Sequence, residues 1–145
     1  MKIIINNATS KEVDTDRLKE LIVKILESEL DELPDSTLNV LLTTDEEMTY
    51  YNETYRHKKG PTDVLSFEYG LDDPEAVGDI VISLETIEKQ AKEFGNTFQE
   101  ELSLMLIHGV LHILGYDHEG DEEEAKIMFE KQEDYFNKYG KNISI

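Results

Sequence analysis

Three of the four histidines in this chain fall within one short string, His108-Gly-Val-Leu-His112-Ile-Leu-Gly115-Tyr-Asp-His118. His108 and His112 are four positions apart, so on a helix they stand one turn apart on one face, with Cβ atoms roughly 5–6 Å from each other. Two imidazoles so placed can reach one ion at roughly 2.0–2.1 Å per nitrogen. A third ligand requires the chain to turn back, and Gly115 supplies a turn three residues before His118. Three neutral imidazoles leave the fourth tetrahedral position open, which separates a catalytic zinc site from a closed structural one. An ion held in this way lowers the pKa of a water toward neutrality. The ligand set suits one zinc ion best, with nickel or another divalent transition metal admitted. A lone histidine in an apolar helix is more often an ordinary hydrogen-bonded core residue. Two unpaired imidazoles inside so apolar a segment are costly, however, unless they share a partner. The set is therefore read as a metal site, and the chain as a metal-dependent hydrolase.

The elements that must carry these side chains follow from periodicity and from the residues that break it. Met1 to Asn7 reads as a strand, and Asp14 to Leu33 as an amphipathic helix with Asp14 as its N-cap and Leu18, Leu21, Ile22, Ile25 and Leu26 on one face. Ser36 to Thr43 reads as a strand. Thr44 to Arg56 reads as a helix, with Thr44 and Glu47 in a capping-box pattern. Two strands are expected at Asp63 to Phe67 and Gly78 to Ser83, separated by a polar loop from Tyr69 to Val77. A helix from Leu84 to Phe94 follows. A second capping-box pattern at Thr97 and Glu100 opens the histidine helix, which Gly115 ends as a left-handed residue. A last helix from Asp121 to Tyr139 carries Ile127, Met128, Phe129 and Phe136 as its apolar residues. The order implies an α+β fold: a single domain over residues 1–145, with a small mixed sheet covered mainly on one face by helices.

Bulk composition removes several classes of chemistry. With 145 residues the chain can bury a real core without staples, and it has no cysteine for disulfides, thiolate ligands or nucleophiles. The apolar run Ile3 to Ile5 is too short for a signal-peptide core, and no stretch reaches the roughly 18 apolar residues of a membrane helix. A cytoplasmic protein with no membrane role is expected. The net charge of −19, with Arg17 and Arg56 as the only arginines, argues against broad nonspecific binding to nucleic acid. The densest basic cluster, Arg56-His57-Lys58-Lys59, leaves room for a local one.

The histidine spacing matches the zinc-binding string of metzincin proteases, H-E-x-x-H-x-x-G-x-x-H, except that Gly109 stands where those enzymes have their general-base glutamate. That supports the metal and opposes peptidase chemistry. A closer likeness covers nearly the whole chain. HGVLHILGYDH (His108 to His118), YRHKKGPTDVLSF (Tyr55 to Phe67) and GDIVIS (Gly78 to Ser83) together resemble the YbeY-type rRNA maturation endoribonucleases, in the same order. The resemblance implies a zincin-like metal helix and a metal-dependent, single-strand-directed endoribonuclease. It implies action in 3′ end maturation of the small-subunit (16S) rRNA and in ribosome quality control. The implied partners are single-stranded rRNA, the small ribosomal subunit and its assembly proteins. It also implies that His108, His112 and His118 are the metal ligands and that Arg56 is the functional arginine.

Other side chains carry two readings each. Arg56 can hold a phosphate bidentately or simply sit at a helix end, and Lys58 and Lys59 can extend a backbone-binding patch or occupy a surface turn. Asp117 can orient a ligand imidazole, serve as the missing base, or bond its own turn. Asp63 and Asp79 can face the metal or merely open strands. Tyr50, Tyr51, Tyr55, Phe67 and Tyr69 can stack on unpaired bases, but their spacing favours core packing for several of them. The acidic run Glu119 to Glu124 reads as negative charge favouring a helix N-terminus rather than as a second metal site. Two alternatives to the nuclease stay open: a zinc metallopeptidase-like hydrolase, and a non-catalytic ribosome assembly factor with a structural metal.

Overall fold

A computed structural model describes residues 1–141 and 143–145. Its elements are β1 (Lys2–Asn7), α1 (Thr15–Glu29), β2 (Thr37–Thr43), α2 (Asp45–Tyr55), β3 (Val64–Glu68), β4 (Ala76–Ser83), α3 (Leu84–Phe94), α4 (Phe98–Ile113) and α5 (Glu122–Tyr135), closed by a π-helical turn at Phe136–Gly140. The four strands form one mixed sheet in the order β1-β2-β4-β3. β1, β2 and β4 run parallel, and β3 pairs antiparallel with β4 as an edge strand. This is the expected α+β arrangement, and no described helix is long and apolar enough to cross a membrane.

Alternation along the strands sends successive side chains to opposite faces. Leu38, Val40, Leu42, Ile80 and Ile82 join the main core, with the α1 stripe Leu18, Leu21, Ile22, Ile25 and Leu26 and with Leu102, Leu106, Val110 and Leu111 of α4. Leu65 and Val81 form a smaller cluster with Met48 of α2, and Leu41, Tyr51 and Phe67 pack against it. Helices thus cover chiefly one face, and α2 shields part of the other.

Local signals set the ends of the elements. Asp14 caps α1 by accepting from the Arg17 N–H at 3.2 Å. Thr97 and Glu100 complete a reciprocal capping box at α4, with both bonds at 3.1 Å. The Thr44–Glu47 pattern is only half realised. Thr44 accepts from the Glu47 N–H at 3.5 Å, but the Glu47 carboxylate takes the Thr43 hydroxyl at 3.0 Å instead of the N-cap amide. α1 stops at Glu29, short of Leu33, where Leu30 is already extended. β4 begins at Ala76 rather than Gly78, since the Tyr69 N–H donates to the Val77 carbonyl at 3.0 Å and lengthens the hairpin.

The aromatic and apolar residues divide between core and surface. Tyr50, Tyr55 and Tyr69 are at least half exposed, at 60, 56 and 50 %, so only Tyr51 and Phe67 of that aromatic group pack against a core. α2 turns Met48 and Asn52 inward and Tyr50 falls off that stripe, whereas Tyr55 stays on it at the helix end, its ring 6.1 Å from Tyr51 and 5.5 Å from Phe67. In α5 Met128 is buried, whereas Ile127 and Phe129 face outward.

Candidate metal centre

α4 positions the first two histidines. Its buried side, including Leu102, Leu106, Val110 and Leu111, is fixed in the core, which leaves His108 and His112 half-buried on a cleft wall. The helix ends in a Schellman arrangement. The Gly115 N–H donates to the His112 carbonyl at 2.9 Å and the Tyr116 N–H to the Leu111 carbonyl at 3.0 Å, with Gly115 at φ +100°. That left-handed residue folds the chain back and brings His118 to the other two. Ring centroids lie 4.7 Å apart for His108–His112 and 4.9 Å for both pairs involving His118.

One ligand atom from each of the three rings lies within 4.8 Å of the others, so the cluster could hold a metal ion. His112 Nε2 and His118 Nδ1 are 2.9 Å apart. Two nitrogens on one tetrahedral ion stand roughly 3.4 Å apart, which lies within the 4.8 Å that spans the three ligand atoms. Electrostatics favour the neutral, ligating form. Burial pushes the His108 pKa down, helped by His118 and opposed by Gln132 and Asp63. Burial first, then His108 and His118, pushes the His112 pKa down to about 4.

Gly109 packs against the sheet. A Cβ there would meet Ile80 Cγ2 at 3.0 Å and Ser66 Oγ at 3.3 Å. A glutamate at this position would therefore run into β3 and β4 instead of reaching a substrate, which explains the departure from the protease string.

The histidines line a cleft of about 750 Å³, and Arg56, Lys58, Asp63, Glu68 and Asp117 line it too. Arg56 is the C-cap of α2, and its Nη2 lies 3.8 Å from Glu119 Oε1, a loose pair between exposed groups. Lys59 and Asp79 are not among the lining residues. Asp79 lies in the groove on the opposite sheet face, where it accepts from Asn39 Nδ2 at 2.9 Å and from the Tyr69 hydroxyl at 2.7 Å. Asp117 accepts from the Glu119 N–H at 2.8 Å, a bond within its own turn. Asp63 accepts from the Val64 N–H at 2.8 Å and opens β3. Glu122, Glu123 and Glu124 lie in the first turn of α5, behind the Asp121 cap.

Several contributors carry no signal in the sequence. Gln132 Oε1 lies 2.7 Å from His108 Nδ1. Asn52 is buried, donates to the Gly60 carbonyl at 2.9 Å, and accepts the Arg56 and Lys58 N–H groups on its own carbonyl at 3.0 and 3.3 Å, so it shapes the basic loop. Glu29 accepts from Tyr116 at 2.5 Å, from Lys131 at 3.0 Å and from the Tyr135 hydroxyl, which ties the histidine loop to α1 and α5. Glu68 faces the cleft with its carboxyl pushed up by partial burial and by Asp117.

Comparison with known proteins decides the family. The family model described as Endoribonuclease YbeY matches residues 3–140. The chain belongs to the YbeY endoribonuclease family. It is 51 % identical over 138 residues to the Endoribonuclease YbeY of Petrotoga mobilis, with 94 % of each chain covered. It is 43 % identical over 146 residues to that of Sulfurihydrogenibium sp., covering 94 % of this chain and 91 % of the relative. The solution structure of TM1509 from Thermotoga maritima matches with a TM-score of 0.65 at 32 % identity, over 96 % of this chain and 89 % of that one. The family is the one that the histidine, Tyr55–Phe67 and Gly78–Ser83 strings resemble.

Proposed function

We propose that this YbeY-family chain acts, as one domain over residues 1–145, as a zinc-dependent endoribonuclease on single-stranded RNA. The observation that carries the reading is the convergence of His108, His112 and His118 in a cleft that also holds Arg56. The three imidazoles would hold one zinc ion, with nickel as the nearest substitute. A bound ion of this kind supplies a Lewis acid that acidifies an oxygen nucleophile and offsets charge building on a phosphate.

The chain's own residues supply the rest. Arg56 stays charged at any working pH and offers a planar fork that fits two phosphate oxygens. Lining the same cleft as the histidines, it would hold the scissile phosphate and stabilise its developing charge. Lys58 lines the same cleft and Lys59 follows it in the exposed loop, so both would meet neighbouring phosphates. Asp117 is the carboxylate next to His118 and would accept the nucleophile's proton. Gly109 leaves no general base at the protease position, which disfavours peptide hydrolysis. A structural ion would need a fourth protein ligand, and the described cluster holds three histidines.

The substrate we propose is the 3′ end region of small-subunit rRNA in the cytoplasm, met on the small ribosomal subunit with its assembly proteins. The net charge of −19 supports delivery by a partner over capture of free RNA by long-range attraction. The test is cleavage of a labelled single-stranded RNA, its duplex form and a peptide panel by purified protein. The expected result is cleavage of the single strand alone, lost on chelation and recovered with zinc. Peptide cleavage, or RNA cleavage indifferent to chelation, would refute the reading.

A further inference from the structure

Among the described residues outside the motif, Gln132 forms a hydrogen bond with a histidine of the cluster. Gln132 stands on α5, and its Oε1 lies 2.7 Å from His108 Nδ1. An amide oxygen only accepts, so at this distance the ring nitrogen donates. Nδ1 then carries the proton and Nε2 the free lone pair. The opposite amide orientation, with the NH₂ donating, would place the proton on Nε2 and block ligation there. Gln132 is itself held in place. Its neighbour Lys131 donates to Glu29 at 3.0 Å, and the Tyr135 hydroxyl, on the next turn of α5, donates to the same carboxylate. Glu29 also accepts from Tyr116, two residues before His118. One carboxylate therefore fixes both the helix bearing Gln132 and the loop bearing His118.

We propose that Gln132 is a positioning residue of the metal centre, its amide oxygen holding His108 as the Nδ1–H tautomer with Nε2 free for the ion. The proposal rests on the reading of the three histidines as a metal site. A hydrogen-bond acceptor behind a ligand imidazole fixes its tautomer and orientation and raises its basicity, and its loss costs about 10–100-fold in metal affinity or activity.

The test compares the unaltered chain with Q132L, which keeps bulk and loses the acceptor, and with Q132E, which keeps an acceptor. Zinc affinity is read by competition with a chromophoric chelator. The tautomer of His108 in the metal-free protein is read from its ring ¹⁵N shifts. Thermal unfolding of the metal-free variants reports whether each still folds. The expected result for Q132L is zinc affinity about 10–100-fold weaker and a mixture of tautomers. Q132E is expected to match or exceed the unaltered chain and to keep the Nδ1–H form. Zinc binding by Q132L as tight as that of the unaltered chain overturns the proposal, as does an Nε2–H form of His108 in the unaltered chain. Equal weakening in Q132E and Q132L also overturns it, since bulk rather than the acceptor would then matter. Saturable zinc uptake by the unaltered chain separates these failures from failure of the metal reading. Without that uptake, the metal reading falls and takes this proposal with it.

Discussion

On one side of the cleft, His108 and His112 project from a helix whose remaining faces are locked into the main core, and His118 follows a hydrogen-bonded glycine turn. Gln132 stands behind His108, and Glu29 pins the loop and α5. Elsewhere on the cleft, Arg56 and Lys58 lie in an exposed segment after α2, with Lys59 outside the lining and Arg56 paired to Glu119 only at 3.8 Å. A metal site tolerates little error in nitrogen position, so its ligands come from rigid, packed elements. A phosphate-binding cation acts over longer distances and stays solvated, so it can sit on an exposed loop, here anchored through Asn52 and through the Gly60 N–H on Glu53.

The largest effect is expected from removing one part of the rigid side. His112→Ala is expected to abolish saturable zinc uptake and reduce RNA cleavage by more than the roughly 100-fold that loss of an orienting partner can cost. Metal content by mass spectrometry and cleavage rate check it together. Arg56→Ala is expected to lower kcat about 10²-fold while zinc affinity stays unchanged. A parallel fall in zinc affinity would mean that the two walls are not separable.

Smaller effects sharpen the contrast through stability. Glu29→Gln is expected to destabilise the protein by about 2 kcal/mol at pH 7, because three donors lose a charged acceptor. Burial works to raise the Glu29 pKa, but the bonds from Tyr116, Tyr135 and Lys131 overrule it and hold it below its ordinary value of 4.5. The unfolded state therefore binds a proton first as pH falls below about 4.5, and stability is lost there. His112 acts earlier. In the unfolded chain it protonates near its ordinary value of 6.5, whereas in the fold it resists protonation until about pH 4. Stability of the metal-free protein should decline between these two pH values and decline further below 4.5. Thermal melts across that range should show Glu29→Gln removing only the lower part of the fall. Lys58→Ala, on the adaptable side, is expected to raise KM severalfold with a shallower salt dependence and no change in the melts.

The legible and illegible parts of the sequence divide along the same line. The α1 stripe, the Thr97–Glu100 box and the histidine string are local patterns, with every partner within a few residues, and each is realised in the structure. The pairing of Thr44 with Glu47 failed as a box because Thr43, also local, competed for the carboxylate. Of the five aromatic residues, Tyr51 and Phe67 pack against a core, while Tyr50, Tyr55 and Tyr69 stay exposed, because α2 covers only part of its sheet face. Gln132 and Glu29 were illegible for a different reason. Their partners lie on other elements, 24 positions away for His108 and 87 for Tyr116, so no spacing rule connects them. The same holds for Ile80 under Gly109, which shows why no glutamate stands there.

If the proposed function holds, one ion on His108, His112 and His118 sustains RNA cleavage. The direct measurement is the initial rate on single-stranded RNA as zinc is added stepwise to chelated protein. The expected curve is a linear rise that breaks sharply at one zinc per chain, with His112→Ala flat throughout. A rate that needs no added metal, or a His112→Ala variant that follows the same curve, would contradict it.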